Sequence, residues 1–134
     1  MTVTALTESE LRRLRDAASA ACANAYAPYS NFRVGAACAT ASGRIFAGAN
    51  VENASYGLTI CAERNAVFQA VAAGEREIVA VAIYTPTATP TTPCGACRQV
   101  LSEFGDDISV VCYCDGPIVH EFSVAQLLPY GFHL

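Results

Sequence analysis

The sequence predicts an α/β protein, a three-layer α/β/α sandwich with a mixed sheet of about five strands. Three observations support this. Segments of helical periodicity alternate with short apolar runs along the 134 residues. Residues 78–83 are all apolar and rich in valine and isoleucine, which is typical of a central strand covered on both faces. Ser42-Gly43, between two apolar segments, indicates the tight turn of an antiparallel hairpin. The length suits one domain spanning residues 1–134.

The first part of the chain predicts one helix and the hairpin. Thr7-Glu-Ser-Glu10 is a capping-box pattern that begins a helix, and apolar residues recur at helical spacing until Pro28, which is expected to end it. Residues 32–40 are predicted to form a strand. After the Ser42-Gly43 turn, residues 44–51 are predicted to be its antiparallel partner.

The rest of the chain alternates helices and strands. Residues 61–73 are apolar nearly all round, which predicts a buried helix that Gly74 ends. A strand is expected at 77–85, and Pro93 suits the first turn of a helix that continues to Phe104. The last predicted elements are a buried strand at 108–114, a short edge strand at 118–122 and a helical turn or two at 124–128. Strand, helix, strand, helix, strand implies parallel pairing with right-handed crossovers, and the opening hairpin adds an antiparallel edge.

Composition excludes several classes of function. The net charge is −4, with eight arginines and no lysine, so the chain offers no basic stripe for polymeric nucleic acid. No apolar run approaches the ~18–20 residues that cross a bilayer, and acidic residues precede the alanine-rich segment 17–27, where a signal peptide would need a basic region. Seven cysteines in such a chain indicate reduced thiols and metal binding, and we expect a cytoplasmic protein. Hydrophobic content of 53% against 15% charged residues hints that other copies of the chain cover part of the surface.

Two segments carry the residues that suggest chemistry. The first contains Cys61 and, two residues later, Glu63; the second contains Cys94 and Cys97 at a spacing that lets both bind one metal ion. Three thiolates leave one position of tetrahedral zinc free for water, and a neighbouring carboxylate gives that water a place for its proton. This combination predicts zinc-assisted hydrolysis.

Other interpretations of the cysteines stay open at this point. A C-x-x-C motif alone could be a redox pair, and a structural zinc would take a fourth ligand from Cys22, Cys38, Cys112 or Cys114. Glu63 favours an open, catalytic site. Because both metal segments are predicted to begin helices, the helix dipoles should lower the thiol pKa values. Arg64 and Arg98 could offset the excess negative charge of three thiolates on zinc, although each could also be an ordinary surface arginine.

Four blocks of the sequence resemble the zinc-dependent cytidine deaminases, in their small homotetrameric form. The blocks are Tyr29-Ser-Asn-Phe-Arg-Val-Gly35, Asn50-Val-Glu-Asn-Ala-Ser-Tyr56, Cys61-Ala-Glu-Arg64 and Pro93-Cys-Gly-Ala-Cys-Arg-Gln-Val100. The resemblance implies one Zn²⁺ per chain, held by Cys61, Cys94 and Cys97, with Glu63 as the proton shuttle and Arg64 neutralising the thiolates. It implies substrate-binding roles for Phe32 against the pyrimidine, for Asn50 and Glu52 at the ribose, and for Ala62; Tyr56 and Phe132 match positions that reach a neighbouring subunit's site. From residue type alone, Phe32 would be a core residue, Glu52 a solvated charge and Asn50 a turn residue.

The function implied by the resemblance is hydrolytic deamination of cytidine and deoxycytidine to uridine and deoxyuridine plus ammonia. Cys61 stands where deaminases of nucleic acids and deoxycytidylate typically have histidine, which favours a free nucleoside, and Asn50 and Glu52 favour a ribose. Two alternatives remain: a deaminase of an antibiotic such as blasticidin S, and a non-catalytic zinc-binding module. The sequence does not rank cytidine against deoxycytidine.

Overall fold

The structure, a computed structural model, describes residues 6–134. Its elements, in chain order, are α1 (Glu8–Cys22), β1 (Gly35–Thr40), β2 (Ile45–Ala49), α2 (Ala62–Ala72), β3 (Ile78–Tyr84), α3 (Gly95–Phe104), β4 (Ser109–Tyr113), β5 (His120–Ser123) and α4 (Val124–Leu127). A single 3₁₀ turn, Tyr56–Leu58, precedes α2. Within residues 6–134, no helix has the length and apolar character needed to span a membrane.

The five strands form one mixed sheet in the order β2-β1-β3-β4-β5. Only β3 and β4 pair in parallel, and the other three pairings are antiparallel. The expectation of parallel pairing throughout the alternating region was therefore wrong for β2 and β3, because β1 lies between them. All six residues of β1 are small and buried, as in a strand covered on both faces, whereas β2 is partly exposed as an edge strand.

Helices cover both faces of the sheet, which confirms the predicted three-layer sandwich. Ala36 and Cys38 of β1 point into a core shared with α2 and α3, whereas Ala37 and Ala39 point into a second core beneath α1. This division follows from the two-residue repeat of side chains along a strand. The layer formed by α2 and α3 carries the three predicted metal ligands.

Two glycines let helices lie unusually close to the sheet. A Cβ atom on Gly35 would lie 1.9 Å from the carbonyl oxygen of Ala18 in α1. A Cβ atom on Gly48 would lie 2.6 Å from the amide nitrogen of Ala66 and 2.9 Å from the carbonyl oxygen of Ala62, both in α2. Glycine at position 48 therefore sets how closely the helix that begins beside Cys61 approaches the sheet.

The capping box is present, but the predicted end of α1 was wrong. Thr7 and Glu10 exchange the two reciprocal hydrogen bonds of the box. The helix ends at Cys22, well before Pro28. The backbone of Tyr26 instead exchanges hydrogen bonds with the segment that follows β2, so the chain does not continue as a helix to Pro28. Likewise β1 begins at Gly35, since the backbone of the preceding residues is bonded to a side chain, described below, instead of to a strand.

The structure also differs from the prediction in the burial of α2 and in the start of α3. The helix α2 is buried on one face only, and Phe68 is 48% exposed, because α2 forms an outer layer. Pro93 precedes α3 instead of lying in its first turn: Cys94 is the N-cap residue, and the amide of Arg98 closes that turn on the Cys94 carbonyl.

Candidate active site

The three predicted metal ligands converge at one point of the fold. The Sγ atoms of Cys61, Cys94 and Cys97 all lie within 4.8 Å of one another, and those of Cys61 and Cys94 are 3.7 Å apart. Tetrahedral zinc with Zn–S bonds of about 2.3 Å places its sulfur ligands about 3.8 Å apart. The donor type and the spacing therefore fit zinc, with three thiolates and one coordination position left for a non-protein ligand.

The local conformation at two helix starts directs these thiols toward one another. Cys61 and Cys94 are the N-cap residues of α2 and α3, both with extended backbone, and neither side chain caps its helix. The thiols are consequently free to bind a metal ion instead of the helix amides. Cys97 lies in the first turn of α3 and is fully buried.

The thiols are electrostatically coupled to one another and to Arg64. A hydrogen bond with Cys97 lowers the pKa of Cys61 to about 5, with further lowering from Arg64 and Cys94 and an opposing effect of burial. The same hydrogen bond and burial raise the pKa of Cys97. Arg64 donates from Nη2 to the Cys61 sulfur at 3.4 Å. These contacts therefore favour negative charge on the Cys61 sulfur.

The carboxyl of Glu63 lies beside this cluster and is shielded from solvent. Glu63 is the second residue of α2 and only 5% exposed. Burial raises its pKa from 4.5 to about 7, with a further upward contribution from Cys61. A carboxyl with a pKa near neutrality can both accept and return a proton, which is the property a general acid–base group needs.

A cavity of about 240 Å³ is lined by Cys61, Cys94 and Glu63. Most of its other lining residues come from the segments before β1, after β2 and before α3, and two come from α2 and β3. They are Ser30, Phe32, Val34, Asn50, Glu52, Thr59, Ala62, Ile83, Thr91 and Thr92. The volume and the combination of an aromatic ring with a few polar groups suit a small organic ligand.

Asn50 holds the segment that carries Phe32. Its side-chain oxygen accepts a hydrogen bond from the amide of Val34 at 2.9 Å, and its Nδ2 donates to the carbonyl of Phe32 at 2.8 Å. Asn50 is buried, whereas Phe32 is 40% exposed at the cavity. The side-chain amide of Asn50 therefore fixes the backbone on both sides of residue 33.

Glu52 binds the segment that immediately precedes Phe32. Its Oε1 accepts hydrogen bonds from the amides of Tyr29 and Ser30 at 2.9 and 3.1 Å, and its Oε2 accepts one from the Ser30 hydroxyl. These hydrogen bonds hold the pKa of Glu52 below its ordinary value, and the bond from the Ser30 hydroxyl has the largest effect. The carboxylate therefore stays charged at neutral pH.

Of the remaining residues predicted to belong to the site, one lines the cavity and three do not. Ala62 is buried and lines the cavity at the start of α2, whereas neither Tyr56 nor Phe132 lines it. Tyr56 is 77% exposed, with its ring edge-on to Tyr29, and Phe132 is 69% exposed. Arg98 donates its hydrogen bonds to the carbonyls of Pro93 and Leu127 and to Thr92, so the contact it makes is with the loop and with the end of α4.

Sequence reasoning did not single out four polar residues of the cavity wall, Ser30, Thr59, Thr91 and Thr92. A signal existed for Ser30, because serine two residues before Phe32 is the spacing of a local side-chain-to-backbone turn. The threonines lie two or three residues before Cys61 or Cys94, so their closeness in sequence to the predicted ligands was the available signal.

A sandwich with three converging thiols and a buried acid at two helix starts defines the class of metal-dependent hydrolytic enzymes. Residues 8–114 match the family described as the cytidine and deoxycytidylate deaminase zinc-binding region. The chain belongs to this family and is a zinc-dependent deaminase, with zinc as its cofactor. The predicted resemblance and fold are both confirmed.

Individual cytidine deaminases are similar to this protein over most of its length. The cytidine deaminase of Halalkalibacterium halodurans is 46% identical over 116 residues, covering 81% of this chain and 83% of its own. That of Mycobacterium tuberculosis is 43% identical over 121 residues, covering 90% and 88%. The crystal structure of cytidine deaminase from Burkholderia pseudomallei is 49% identical and superposes with a TM-score of 0.88, covering 95% of this chain and all of that one.

Proposed function

We propose that the protein catalyses the hydrolytic deamination of cytidine and deoxycytidine to uridine and deoxyuridine, with release of ammonia, in pyrimidine salvage. The observation that carries this proposal is the buried Glu63 beside the Cys61, Cys94 and Cys97 triad, at a cavity of about 240 Å³. The relatives named above as cytidine deaminases support the same substrate class.

In the proposed reaction, Glu63 moves the protons. Zinc, when bound by the three cysteines, supplies a Lewis acid that makes a water molecule nucleophilic enough to attack C4 of cytosine. Glu63 accepts one proton of the attacking water and passes it to N3. It then takes the remaining proton from the new C4 hydroxyl and passes it to the amine, so that the C4–N bond breaks, ammonia leaves and the C4 carbonyl of the product forms. Its pKa of about 7, raised by burial, allows both steps near neutral pH.

The cavity walls supply the contacts that we propose for the nucleoside. The Phe32 ring is available to pack on the pyrimidine, and Ala62 lies at the floor beside Glu63. We propose that Glu52 accepts a hydrogen bond from a ribose hydroxyl. Asn50 is proposed to contact the same sugar through the hydrogen-bonding positions of its amide that the protein backbone does not use. Arg64, and Arg98 more distantly, would favour the thiolate forms of the ligands.

We further propose a cytoplasmic homotetramer with sites at subunit interfaces, acting on a free nucleoside and on neither nucleic acid polymers nor membranes. The exposure of the Tyr56 and Phe132 rings supports roles for both in a neighbouring subunit's cavity. The seven cysteines, all unpaired, suit a reducing compartment. Light scattering would measure the oligomer number directly.

The test is ammonia release from a panel of cytidine, deoxycytidine, cytosine, CMP and blasticidin S. Zinc-loaded wild-type protein should act on the two nucleosides far faster than on cytosine or CMP. Activity on blasticidin S alone would replace the proposal with an antibiotic deaminase. Absence of ammonia from every compound, with zinc bound, would favour the non-catalytic zinc module.

A further inference from the structure

The hydroxyl of Ser30 connects two residues that line the cavity, Glu52 and Phe32. It donates a hydrogen bond to Oε2 of Glu52 and accepts one from the amide of Phe32 at 3.0 Å. The Ser30 amide also donates to Oε1 of the same carboxylate. One residue therefore binds both oxygens of Glu52 and, through its hydroxyl, the backbone of Phe32.

The backbone around Ser30 is shaped to make this connection. Asn31 has a φ of +56°, in the left-handed region that asparagine tolerates better than most residues. This turn brings the Phe32 amide back onto the Ser30 hydroxyl. Since Asn50 accepts from Val34 and donates to the Phe32 carbonyl, the backbone of Phe32 is held on both sides.

These bonds matter because packing alone does not immobilise Phe32. The residue is 40% exposed, so much of its surface has no protein neighbour to fix its position. The hydrogen bonds of its backbone therefore add to the packing that positions Phe32 at the cavity, and Ser30 supplies the one on the amide side.

The hydrogen bonds of Glu52 define what the carboxylate can still accept. A carboxylate offers about four lone-pair positions. The amides of Tyr29 and Ser30 use two on Oε1, and the Ser30 hydroxyl uses one on Oε2. One acceptor position remains on Oε2, and the Ser30 hydroxyl on the same oxygen determines its direction.

We propose that Ser30 is a positioning residue for the nucleoside, which keeps Glu52, proposed to bind the sugar, and Phe32, proposed to pack on the base, in one relative arrangement. The inference rests on the proposed function for the identity of the ligand, but the hydrogen-bond linkage itself does not. Ser30 is assigned no contact with the reacting atoms.

The first experiment is a double-mutant cycle on zinc-loaded protein with cytidine as substrate. Ser30→Ala should lower kcat/KM about tenfold, mainly through KM, as expected for one hydrogen bond to a charged group. In a Glu52→Ala background the same change should cost less than about threefold, because most of its effect passes through Glu52. Ser30→Thr, which keeps the hydroxyl, should restore most of kcat/KM.

Ser42→Ala is the matched control, because the Ser42 hydroxyl also donates to a glutamate, Glu75, at 3.0 Å but lies outside the cavity. It should leave kcat/KM unchanged. Equal effects of Ser30→Ala in both backgrounds would overturn the linkage through Glu52. An unchanged KM in Ser30→Ala, with normal zinc content and melting temperature, would overturn the positioning role.

A second measurement needs no substrate. Hydrogen exchange of the Phe32 amide, followed by NMR, should be at least several-fold faster in Ser30→Ala than in wild type or Ser42→Ala, because its acceptor is gone. Equal exchange rates would overturn the linkage to Phe32. If wild type fails to deaminate cytidine while the exchange difference is present, the proposed function fails and the Ser30 linkage stands.

Discussion

Nη2 of Arg64 lies 3.4 Å from Sγ of Cys61 and donates a hydrogen bond to it. The two residues are one helical turn apart, with Cys61 at the N-cap of α2. The guanidinium therefore adds a full positive charge to the partial charge of the helix start, at the sulfur whose pKa is lowered to about 5. Zinc with three thiolates would carry a net negative charge, and we propose that this arrangement offsets it.

Replacing Arg64 by glutamine should weaken zinc binding about 10- to 100-fold, the usual range for residues that support metal ligands. The reason is that the thiolates lose their nearest cation. Competition with a chelator at fixed pH measures the affinity. Arg12→Gln, on the exposed face of α1, is the control and should bind zinc as wild type does. Equal affinity of the two variants would show that the helix starts are sufficient.

Glu63→Gln should retain one zinc per chain and lose turnover by about 10²–10⁴-fold, since general acid–base groups contribute on this scale. The change is nearly isosteric, and it removes the group that accepts the proton. Steady-state ammonia release and metal analysis on the same samples provide the measurement. Glu103→Gln, exposed on α3, should match wild type. Loss of zinc from Glu63→Gln would instead identify Glu63 as a ligand.

The pKa of Glu52 should rise when the Ser30 hydroxyl is removed. The folded-state pKa lies below the ordinary value of 4.5, mainly because of that hydroxyl. The stability that Glu52 contributes is therefore present above pH 4.5 and is lost as the pH falls through the lower, folded-state pKa. In Ser30→Ala this contribution should be smaller, and its loss should be complete at a higher pH. A ¹³C NMR titration of the glutamate carboxyls measures the shift, and an unchanged pKa would contradict the hydrogen bond.

Gly48→Ala should destabilise the protein by about 1–3 kcal/mol, the usual cost of forcing an added methyl into a packed region. The new Cβ would lie 2.6 Å from the Ala66 nitrogen, so α2 must move away from β2. Because Cys61 and Glu63 begin α2, zinc affinity should fall as well. Urea unfolding with and without zinc measures both effects. Gly57→Ala, where an added Cβ meets nothing within 4 Å, should be close to wild type, and an equal loss there would contradict this packing argument.

Local signals in the sequence determined the elements and the chemical identity of the metal donors. The capping box at Thr7, the apolar run at 78–83 and the Cys94 and Cys97 spacing each depend on residues a few positions apart. Their physical basis is short-range: hydrogen bonding within one turn, side-chain periodicity and the reach of two thiols to one ion. The same reasoning placed the strand and helix ends wrongly wherever a distant residue took over the backbone hydrogen bonds, as Asn50 does at Phe32 and Val34.

Only the tertiary structure decided which distant segments meet. Cys61 and Cys94, 33 residues apart, come within 3.7 Å because α2 and α3 pack on the same face of the sheet with their first residues adjacent. It also placed β1 between β2 and β3, and it joined Ser30 to Glu52 across 22 residues. No local pattern encodes these contacts, because they result from the packing of whole elements against a shared sheet, where burial of apolar surface selects the arrangement and has no directional preference of its own.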